Sequence, residues 1–268
     1  MFGRTLFLNG ARVLALIALA SAAVHAQTVV WVAGADLVAN ELGANPTSNP
    51  NSLATAWSYG RRSAFADTSL FLFNASEHGI NFNVAGLNGF SSGDNGSSVI
   101  VNTTNTTKFT NFGPGTNNGI APSELWLHPA SNNDFAVVRW TAPASGTYTI
   151  TSAYWRDDDP HGGNGTDVHI VLNGIAIFDA SFGNGGATAL GASLTFTLAA
   201  NDKIDFLLGS AGDWTYDSTA CNATISALAI PEPGTAVLLA VGVGLFAIAA
   251  WRRRAFRSRR RRASHRTP

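Results

Sequence analysis

The sequence of 268 residues contains one cysteine, Cys221. A single cysteine cannot form a disulfide within the chain, so an exported protein of this sequence depends on its own hydrophobic core for stability. Cys221 has two interpretations. The functional one is a reactive thiol or half of an intermolecular disulfide. The other, which we favour, is a small residue within a strand.

Basic residues are scarce between positions 27 and 229, where six basic and sixteen acidic residues give a formal charge of −10. The whole chain has a formal charge of zero only because eleven arginines lie outside this region. An acidic domain lacks the Lys and Arg that neutralise phosphates, which argues against nucleic acid or anionic lipid as a partner. This charge is compatible with a neutral sugar or a cation as the ligand, or with a contribution to solubility alone.

Few catalytic motifs are evident. His-Glu-x-x-His does not occur, and His128, His161 and His169 fall in different segments. A glycoside hydrolase needs two carboxylates across a cleft. The sequence permits Asp157 with Asp213 as such a pair but does not select it. We therefore predict a non-enzymatic protein, with a polysaccharide-active hydrolase as the alternative.

The first 26 residues have the pattern of a signal peptide. Arg4 and Arg12 form a basic region, residues 13–20 are apolar, and Val24-His25-Ala26 places small residues where a signal peptidase cleaves. The sequence therefore predicts processing by the export machinery and signal peptidase, with a mature chain that begins at Gln27.

The last 39 residues, 230–268, contain Pro231, Glu232 and Pro233, then an apolar segment, then a tail rich in arginine. The apolar segment 234–251 holds about 16–18 apolar or small residues, at the short end of the range for a transmembrane helix. Tail 252–268 carries nine arginines. Such a tail stays in the cytoplasm, so residues 27–229 are predicted to face outward. The alternative is a buried core helix beside a basic tail.

This three-part order resembles the PEP-CTERM sorting signal of Gram-negative bacteria. Pro231, Glu232 and Pro233 match its motif, and segment 234–251 matches its helix. The resemblance implies recognition and cleavage by an exosortase in bacteria that make extracellular polysaccharide. Glu232 is then a recognised residue and not a catalyst. The tail is longer and more basic than is usual for such signals.

The sequence pattern of residues 27–229 predicts an all-β domain. Glycine, Asn, Ser and Thr are abundant, no helical periodicity extends far, and short apolar or alternating segments recur between turns. Asn173-Gly174 is the strongest hairpin signal. The pattern favours a β-sandwich, either a jelly roll or immunoglobulin-like, and residues 89–119 are expected to form a long loop or a loose hairpin. The predicted strands are 69–73, 98–102, 135–140, 148–154, 167–172, 175–178, 194–198, 203–208 and 223–228.

Segment 137–148, VVRWTAPASGTY, is similar to a segment of carbohydrate-binding-like β-sandwiches in exported bacterial proteins. The similarity extends over segments 57–60, 127–129, 167–174, 201–206 and 216–219. It implies a sandwich fold, with polysaccharide as its ligand. In the same segment, Pro143 and Gly146 predict a turn between two strands. Asn201 stands where these proteins often have Gly, and Asn tolerates a left-handed turn.

The densest polar cluster extends from 155 to 167. Closely spaced oxygen ligands suit Ca²⁺, and the candidate ligands of a structural calcium ion are Asp157, Asp158, Asp159, Asn164 and Asp167. No Glu closes an EF-hand loop here, so a solvated turn without metal is the other interpretation.

Aromatic side chains offer a second candidate site, because a ring with an apolar body and a polar tip suits a partly wet surface. Trp57, Tyr59, Trp126, Trp155, Trp214 and Tyr216 are the candidates for stacking against sugars. Trp214 lies in a segment rich in Gly and Asp and is the best exposed candidate. We assign the ligand-binding role to Trp155, Trp214 and Tyr216, and we expect Trp140 in the core.

Together these patterns predict an exported protein, anchored in the inner membrane by its C-terminal helix before processing and then located in the envelope or extracellular matrix. Its sandwich is predicted to contact extracellular polysaccharide. A purely structural matrix protein whose sandwich self-associates is the further alternative.

Overall fold

The computed structural model describes residues 28–40, 56–73, 84–92, 96–110, 118–156, 164–183 and 189–228, which belong to one compact body, Thr28–Leu228. The predicted signal peptide, the Pro231-Glu232-Pro233 motif, the predicted transmembrane helix and the arginine tail lie outside these residues, as do Asp157, Asp158 and Asp159. No helix within the described ranges is long and apolar enough to cross a membrane.

The described residues form fifteen strands and one short helix. The elements are β1 (Thr28–Val32), α1 (Ala33–Asn40), β2 (Trp57–Arg62), β3 (Phe71–Leu72), β4 (Leu87–Ser91), β5 (Ser98–Asn102), β6 (Lys108–Thr110), β7 (Asn118–Ile120), β8 (Leu125–His128), β9 (Phe135–Thr141), β10 (Gly146–Arg156), β11 (Thr166–Leu172), β12 (Ile175–Phe182), β13 (Leu190–Leu198), β14 (Lys203–Gly209) and β15 (Thr219–Leu228).

Two antiparallel sheets form the sandwich. The seven-stranded sheet has the order β13-β10-β15-β8-β5-β4, with β1 also paired to β15, and the six-stranded sheet has the order β12-β11-β14-β9-β2-β3. Strands β6 and β7 form a separate pair. Eight consecutive strands, β8 to β15, alternate between the sheets except at the β11–β12 hairpin, so that β13-β10-β15-β8 faces β12-β11-β14-β9. This is the strand order of a jelly roll.

The main core lies between the two sheets, because alternate residues of each strand point to the same side. Val138 and Trp140 of β9 are fully buried in this core. Trp140 packs edge-on against Trp31 of β1, with ring centroids 5.3 Å apart, and against Tyr148 of β10, at 5.0 Å. These three rings connect strands from both sheets. The prediction that Trp140 lies in the core is confirmed.

The far side of the six-stranded sheet carries a buried ion cluster. Arg139 of β9 donates two hydrogen bonds to Asp205 of β14, at 2.6 and 2.8 Å, and Arg62 of β2 donates a third at 2.5 Å. Segment 63–70 lies over this side, where the Phe65 and Leu70 side chains pack on a small apolar cluster. Burial lowers the pKa of the Arg62 guanidinium, although Asp205 opposes the shift. The paired charges explain how an apolar sheet tolerates three ionised groups.

Helix α1 is tied to the sandwich by Asp36. Its carboxylate accepts the backbone N–H of Val32 at 3.1 Å, at the start of the helix, and the indole N–H of Trp57 at 2.8 Å. The sequence predicted no helix here.

The sandwich predicted from the sequence is confirmed, and each predicted strand overlaps an observed one. Asn173 and Gly174 join β11 and β12 with φ values of 50° and 87°, as a tight hairpin turn requires. Asn201 also adopts the expected left-handed conformation, with φ of 72°. The expectation that 89–119 is a long loop was wrong, because β5, β6 and parts of β4 and β7 lie in it. The alternative of a hairpin agrees with the antiparallel pair of β6 and β7.

Candidate functional site

The loop between β14 and β15, residues 210–218, exposes two large aromatic side chains. Trp214 is 42% exposed and Tyr216 is 44% exposed, whereas most aromatic residues of this chain's sandwich are buried. Three residues of the loop have left-handed backbone conformations: Ala211 with φ of 45°, Gly212 with φ of 101° and Tyr216 with φ of 62°. Non-glycine residues adopt such conformations when the surroundings hold them there.

Polar side chains from two neighbouring segments hold the start of this loop. The Asn164 side-chain amide donates to the Ala211 carbonyl at 2.6 Å, and the Ala211 N–H donates to Asp167 Oδ1 at 2.8 Å. The Ser210 hydroxyl donates to Asn133 Oδ1 at 2.9 Å. Because these contacts fix the backbone of the loop, binding there loses little conformational entropy.

Trp214 also has neighbours on two other segments. Its ring packs edge-on against His128, the last residue of β8, with centroids 5.6 Å apart and planes at 80°. Gly96, which precedes β5 and has φ of 81°, lies on another side, where a Cβ would be 3.5 Å from the Trp214 ring. His128 Nδ1 lies 2.8 Å from the Pro129 carbonyl oxygen. The Trp214 indole therefore contacts the end of one strand and a residue that precedes another.

The partners of Asp167 extend to the far side of the six-stranded sheet. Its Oδ2 lies 2.7 Å from His169 Nε2, and His169 Nδ1 lies 2.6 Å from Asp179 Oδ1. Burial lowers the pKa of His169, but the hydrogen bonds and charges of Asp167 and Asp179 outweigh it, so that the pKa is raised above its usual range. Burial raises the pKa of Asp167, yet His169 and the Ala211 N–H outweigh it and the pKa is lowered.

Two of the five predicted calcium ligands lie in the described residues, and both already have protein partners. Asn164 directs its amide to the loop backbone, and Asp167 binds His169 and Ala211. Across the described ranges, no group of three or more His, Cys, Asp or Glu side chains is arranged to hold a metal ion. Asp157, Asp158 and Asp159 lie outside these ranges, so the calcium site stays a prediction.

Trp155 does not belong to the same loop as Trp214 and Tyr216. It lies on β10, half-buried, on the side of the seven-stranded sheet away from the core, where its side chain hydrogen bonds to Glu124. Burial raises the pKa of Glu124, despite the hydrogen bonds from the Ala121 N–H and Trp155. The structure therefore separates Trp155 from Trp214 and Tyr216, and the ligand-binding role of Trp155 stays a prediction.

Three further aromatic candidates were wrong as sugar-stacking residues, because their side chains are buried. Trp57 is fully buried, and Tyr59 and Trp126 are each 1% exposed. Cys221 is also buried, within β15, and burial raises the pKa of its thiol to about 12. This agrees with a small residue in a strand rather than a reactive thiol.

Residues 229–254 match the family model of the PEP-CTERM protein-sorting motif. The C-terminal segment is a PEP-CTERM motif. This agrees with the resemblance found in Pro231, Glu232 and Pro233. A PEP-CTERM motif in general implies an exported protein that is first anchored in the membrane and then processed by an exosortase.

Curated protein sequences gave no match to this chain. Among solved structures, similar chains include CBM51 from Clostridium perfringens in complex with methyl-galactose, with 11% identity, a TM-score of 0.29, and coverage of 46% of this chain and 81% of that one. A family 35 carbohydrate-binding module from Clostridium thermocellum has 17% identity, a TM-score of 0.27, and coverage of 48% and 90%. Rabbit GITRL has 18% identity, a TM-score of 0.25, and coverage of 36% and 74%. With TM-scores this low, the similarity assigns neither a ligand nor an activity.

Proposed function

We propose that the chain is a non-enzymatic protein of the envelope or extracellular matrix whose sandwich binds a neutral polysaccharide through Trp214 and Tyr216. The observation that supports this proposal is loop 210–218, which is held by hydrogen bonds from Asn164 and Asp167 and exposes two aromatic rings at the surface. A sugar ring presents C–H groups on its face and hydroxyls at its edge. An exposed indole beside polar loop groups offers matching apolar and polar surface.

The charge of the loop favours a neutral ligand over an acidic one. Residues 210–218 contain the exposed Asp213 and the buried Asp217, and no Lys or Arg. An anionic polysaccharide would meet like charge here and no guanidinium to bind its carboxylates. The same argument excludes nucleic acid as the partner, in line with the charge of −10 over residues 27–229.

The ends of the chain supply the location. Signal peptidase and the export machinery would release residues 27–268 into the export pathway, and segment 234–251 would hold the protein in the inner membrane with tail 252–268 inside. An exosortase that recognises Glu232 between Pro231 and Pro233 would then cleave the C-terminus. The sandwich would reach the envelope or the matrix, where polysaccharide is its partner.

A binding assay tests this proposal. The full-length protein, kept in mild detergent, is applied to two immobilised neutral polysaccharides, a β-glucan and a galactan, and to the anionic polysaccharide alginate. We expect binding to at least one neutral polymer and weak or no binding to alginate. Trp214→Ala should weaken the affinity by about tenfold or more, since each tenfold corresponds to about 1.4 kcal/mol. Phe71→Ala is the matched control, because Phe71 is 59% exposed but lies on β3, outside the loop.

Equal binding by wild type and Trp214→Ala would contradict the assignment of the loop. Preference for alginate would contradict the neutral class of ligand. The non-enzymatic part of the proposal has its own measurement, which is the number of reducing ends after prolonged incubation with the bound polymer. An increase over the polymer alone would show that the chain is a hydrolase.

A further inference from the structure

Strand β13 forms one edge of the seven-stranded sheet. Its nine residues, Leu190–Leu198, pair with β10 in nine consecutive antiparallel positions, from Gly146 opposite Leu198 to Tyr154 opposite Leu190, without a register shift. In the sheets of the described residues, no strand pairs with its other side. Every second residue of an antiparallel edge strand directs its N–H and C=O away from the sheet. These groups form a regular row that another strand can pair with.

Soluble proteins protect long edge strands with charged residues, proline, bulges or short length. The neighbouring edge of the six-stranded sheet has such features: β12 carries Asp179, and its pairing with β11 shifts register between Ile170 and Val171. At two other edges the strands are short, with two residues in β3 and five in β4. Strand β13, with the sequence LGASLTFTL, has no charged residue, no proline and no bulge.

On both faces of the sheet, the side chains of β13 suit contact with a second β13 strand. On the outer side, Ser193, Thr195 and Thr197 are exposed and lie opposite Thr151, Thr149 and Thr147 of β10. The Thr195 and Thr149 hydroxyls are 3.3 Å apart, which continues a row of uncharged hydroxyls across the strands. On the inner side, the apolar residues remain only partly buried at the margin of the core: Leu190, Ala192, Leu194 and Phe196.

The low charge of this side of the domain favours it for contact between two copies. Two chains that each carry −10 over residues 27–229 repel one another over most of their surfaces. Strands β10, β13 and β15 together contain one charged residue, Arg156 at the end of β10. Two copies that meet at β13 therefore bring little like charge together.

We propose that β13 pairs antiparallel with β13 of a second copy of this chain, which joins the two seven-stranded sheets into one continuous sheet across a two-fold axis. A two-fold contact between identical strands is closed, so it yields a dimer and not a fibre. The axis passes near Leu194, the middle residue of the strand, and places Thr195 of each copy close to Ser193 and Thr195 of the other. The contact buries the partly exposed Leu194 and Phe196 further and pairs the free backbone groups. This inference does not depend on the polysaccharide site.

The test compares two variants with the same chemical change on the same face of the sheet. Thr195→Lys places a cation on the edge strand, where the two-fold axis brings two lysines together, and like charges on paired strands are destabilising. Thr149→Lys places the cation one strand inward, opposite Thr195 but away from the axis. Full-length protein in mild detergent is measured by sedimentation velocity over a range of concentrations. Thermal unfolding of each variant establishes that it is folded.

We expect wild type and Thr149→Lys to be dimers, and Thr195→Lys to raise the dimer dissociation constant by about tenfold or more. A mixture of Thr195→Lys with Thr195→Glu should recover association, because opposite charges then meet across the axis. A monomeric wild type would overturn the proposal, and this is the result expected if another segment of the same chain covers β13. A dimer that survives Thr195→Lys would also overturn it. Equal loss of the dimer in both lysine variants would contradict it as well, because that result indicates contact through the face of the sheet.

Discussion

The carboxylate of Asp167 accepts the backbone N–H of Ala211 at 2.8 Å, and this bond connects β11 to the loop that exposes Trp214. The other oxygen of the same carboxylate lies 2.7 Å from His169 Nε2. One side chain therefore contacts both a partly buried charged group on the sheet and the backbone of the candidate binding loop. Since Ala211 has a φ of 45°, its conformation depends on such contacts. Two predictions follow from this arrangement.

Removing the Asp167 carboxylate should weaken polysaccharide binding without touching the aromatic rings. Asp167→Ala deletes the acceptor of the Ala211 N–H, so that the loop samples more conformations and binding must order it again. A hydrogen bond of this kind contributes about 1 kcal/mol, which corresponds to roughly a fivefold loss of affinity. The measurement is a titration of the variant with the neutral polysaccharide that wild type binds.

Asp179→Ala is the control for this effect. It removes the other carboxylate partner of His169, at 2.6 Å, but Asp179 lies on β12 and its side chain is 59% exposed. Binding by Asp179→Ala should stay close to that of wild type. Equal losses in the two variants would mean that the His169 group as a whole, and not the bond to Ala211, determines the affinity.

The stability of the sandwich should depend on the protonation of His169. Its pKa is raised above the usual 6.5, so the stabilisation it gives is fully present below pH 6.5 and is lost as the pH rises through the raised value. The pKa of Asp167 is lowered below the usual 3.8, so its contribution is present above pH 3.8 and is lost as the pH falls through the lowered value. The stabilisation from the pair is therefore greatest between these two limits.

Urea unfolding of wild type and His169→Gln at about pH 6 and about pH 9 measures this dependence. Glutamine has no titrating group, so the free-energy difference between the two proteins should be smaller at the higher pH. Packing changes around Phe65, whose ring centroid is 4.3 Å from that of His169, contribute equally at both pH values and cancel. Asp179→Asn should reduce the pH dependence, because one of the two carboxylates that raise the pKa is then neutral. A difference that does not change with pH would contradict the prediction.

The buried ion cluster should be more sensitive to substitution than the partly buried pair beside it. Asp205→Ala leaves Arg62 and Arg139 buried without their carboxylate, and breaking a buried pair costs about 3–5 kcal/mol. Arg61→Ala removes one partner of Asp134, where the two side chains are 22% and 11% exposed, and should cost less because the Asn132 amide still donates to Asp134. Denaturant unfolding of both variants checks the contrast. Similar losses in the two would indicate that water reaches Asp205.

The fold was largely predictable because most strands show their buried side directly in the sequence. Ile204, Phe206 and Leu208 alternate along β14, and all three are buried in the main core. Strand β2, with the sequence WSYGRR, was missed because two arginines and a glycine do not resemble a strand. Arg62 is nevertheless fully buried, since it donates to Asp205, which lies 143 positions away in sequence and on the other side of β9 in the sheet. Pairing over such a distance cannot be recognised from local composition.

The candidate site was predictable only in its aromatic residues. Trp214 and Tyr216 stand among Gly, Asp and Thr, which indicates a loop, and both side chains are exposed. His128 and Gly96 were missed as neighbours of Trp214, because jelly-roll topology and not sequence distance brings their loops together. Trp155 resembled Trp214 in its polar surroundings, but its parity on β10 places it on the sheet face beside Glu124.

Sorting should depend on Glu232 and not on the sandwich. Glu232→Ala changes the central residue of Pro231-Glu232-Pro233, within the matched residues 229–254. The variant should be exported and lose its signal peptide normally, yet remain uncleaved in the inner membrane, because segment 234–251 still anchors it. Cell fractionation with an antibody against the sandwich measures the distribution. Glu41→Ala removes the same charge outside the motif and should be sorted like wild type. Release of Glu232→Ala at the normal rate would show that the exosortase reads other residues, and the assignment of Glu232 as the recognised residue would then fail.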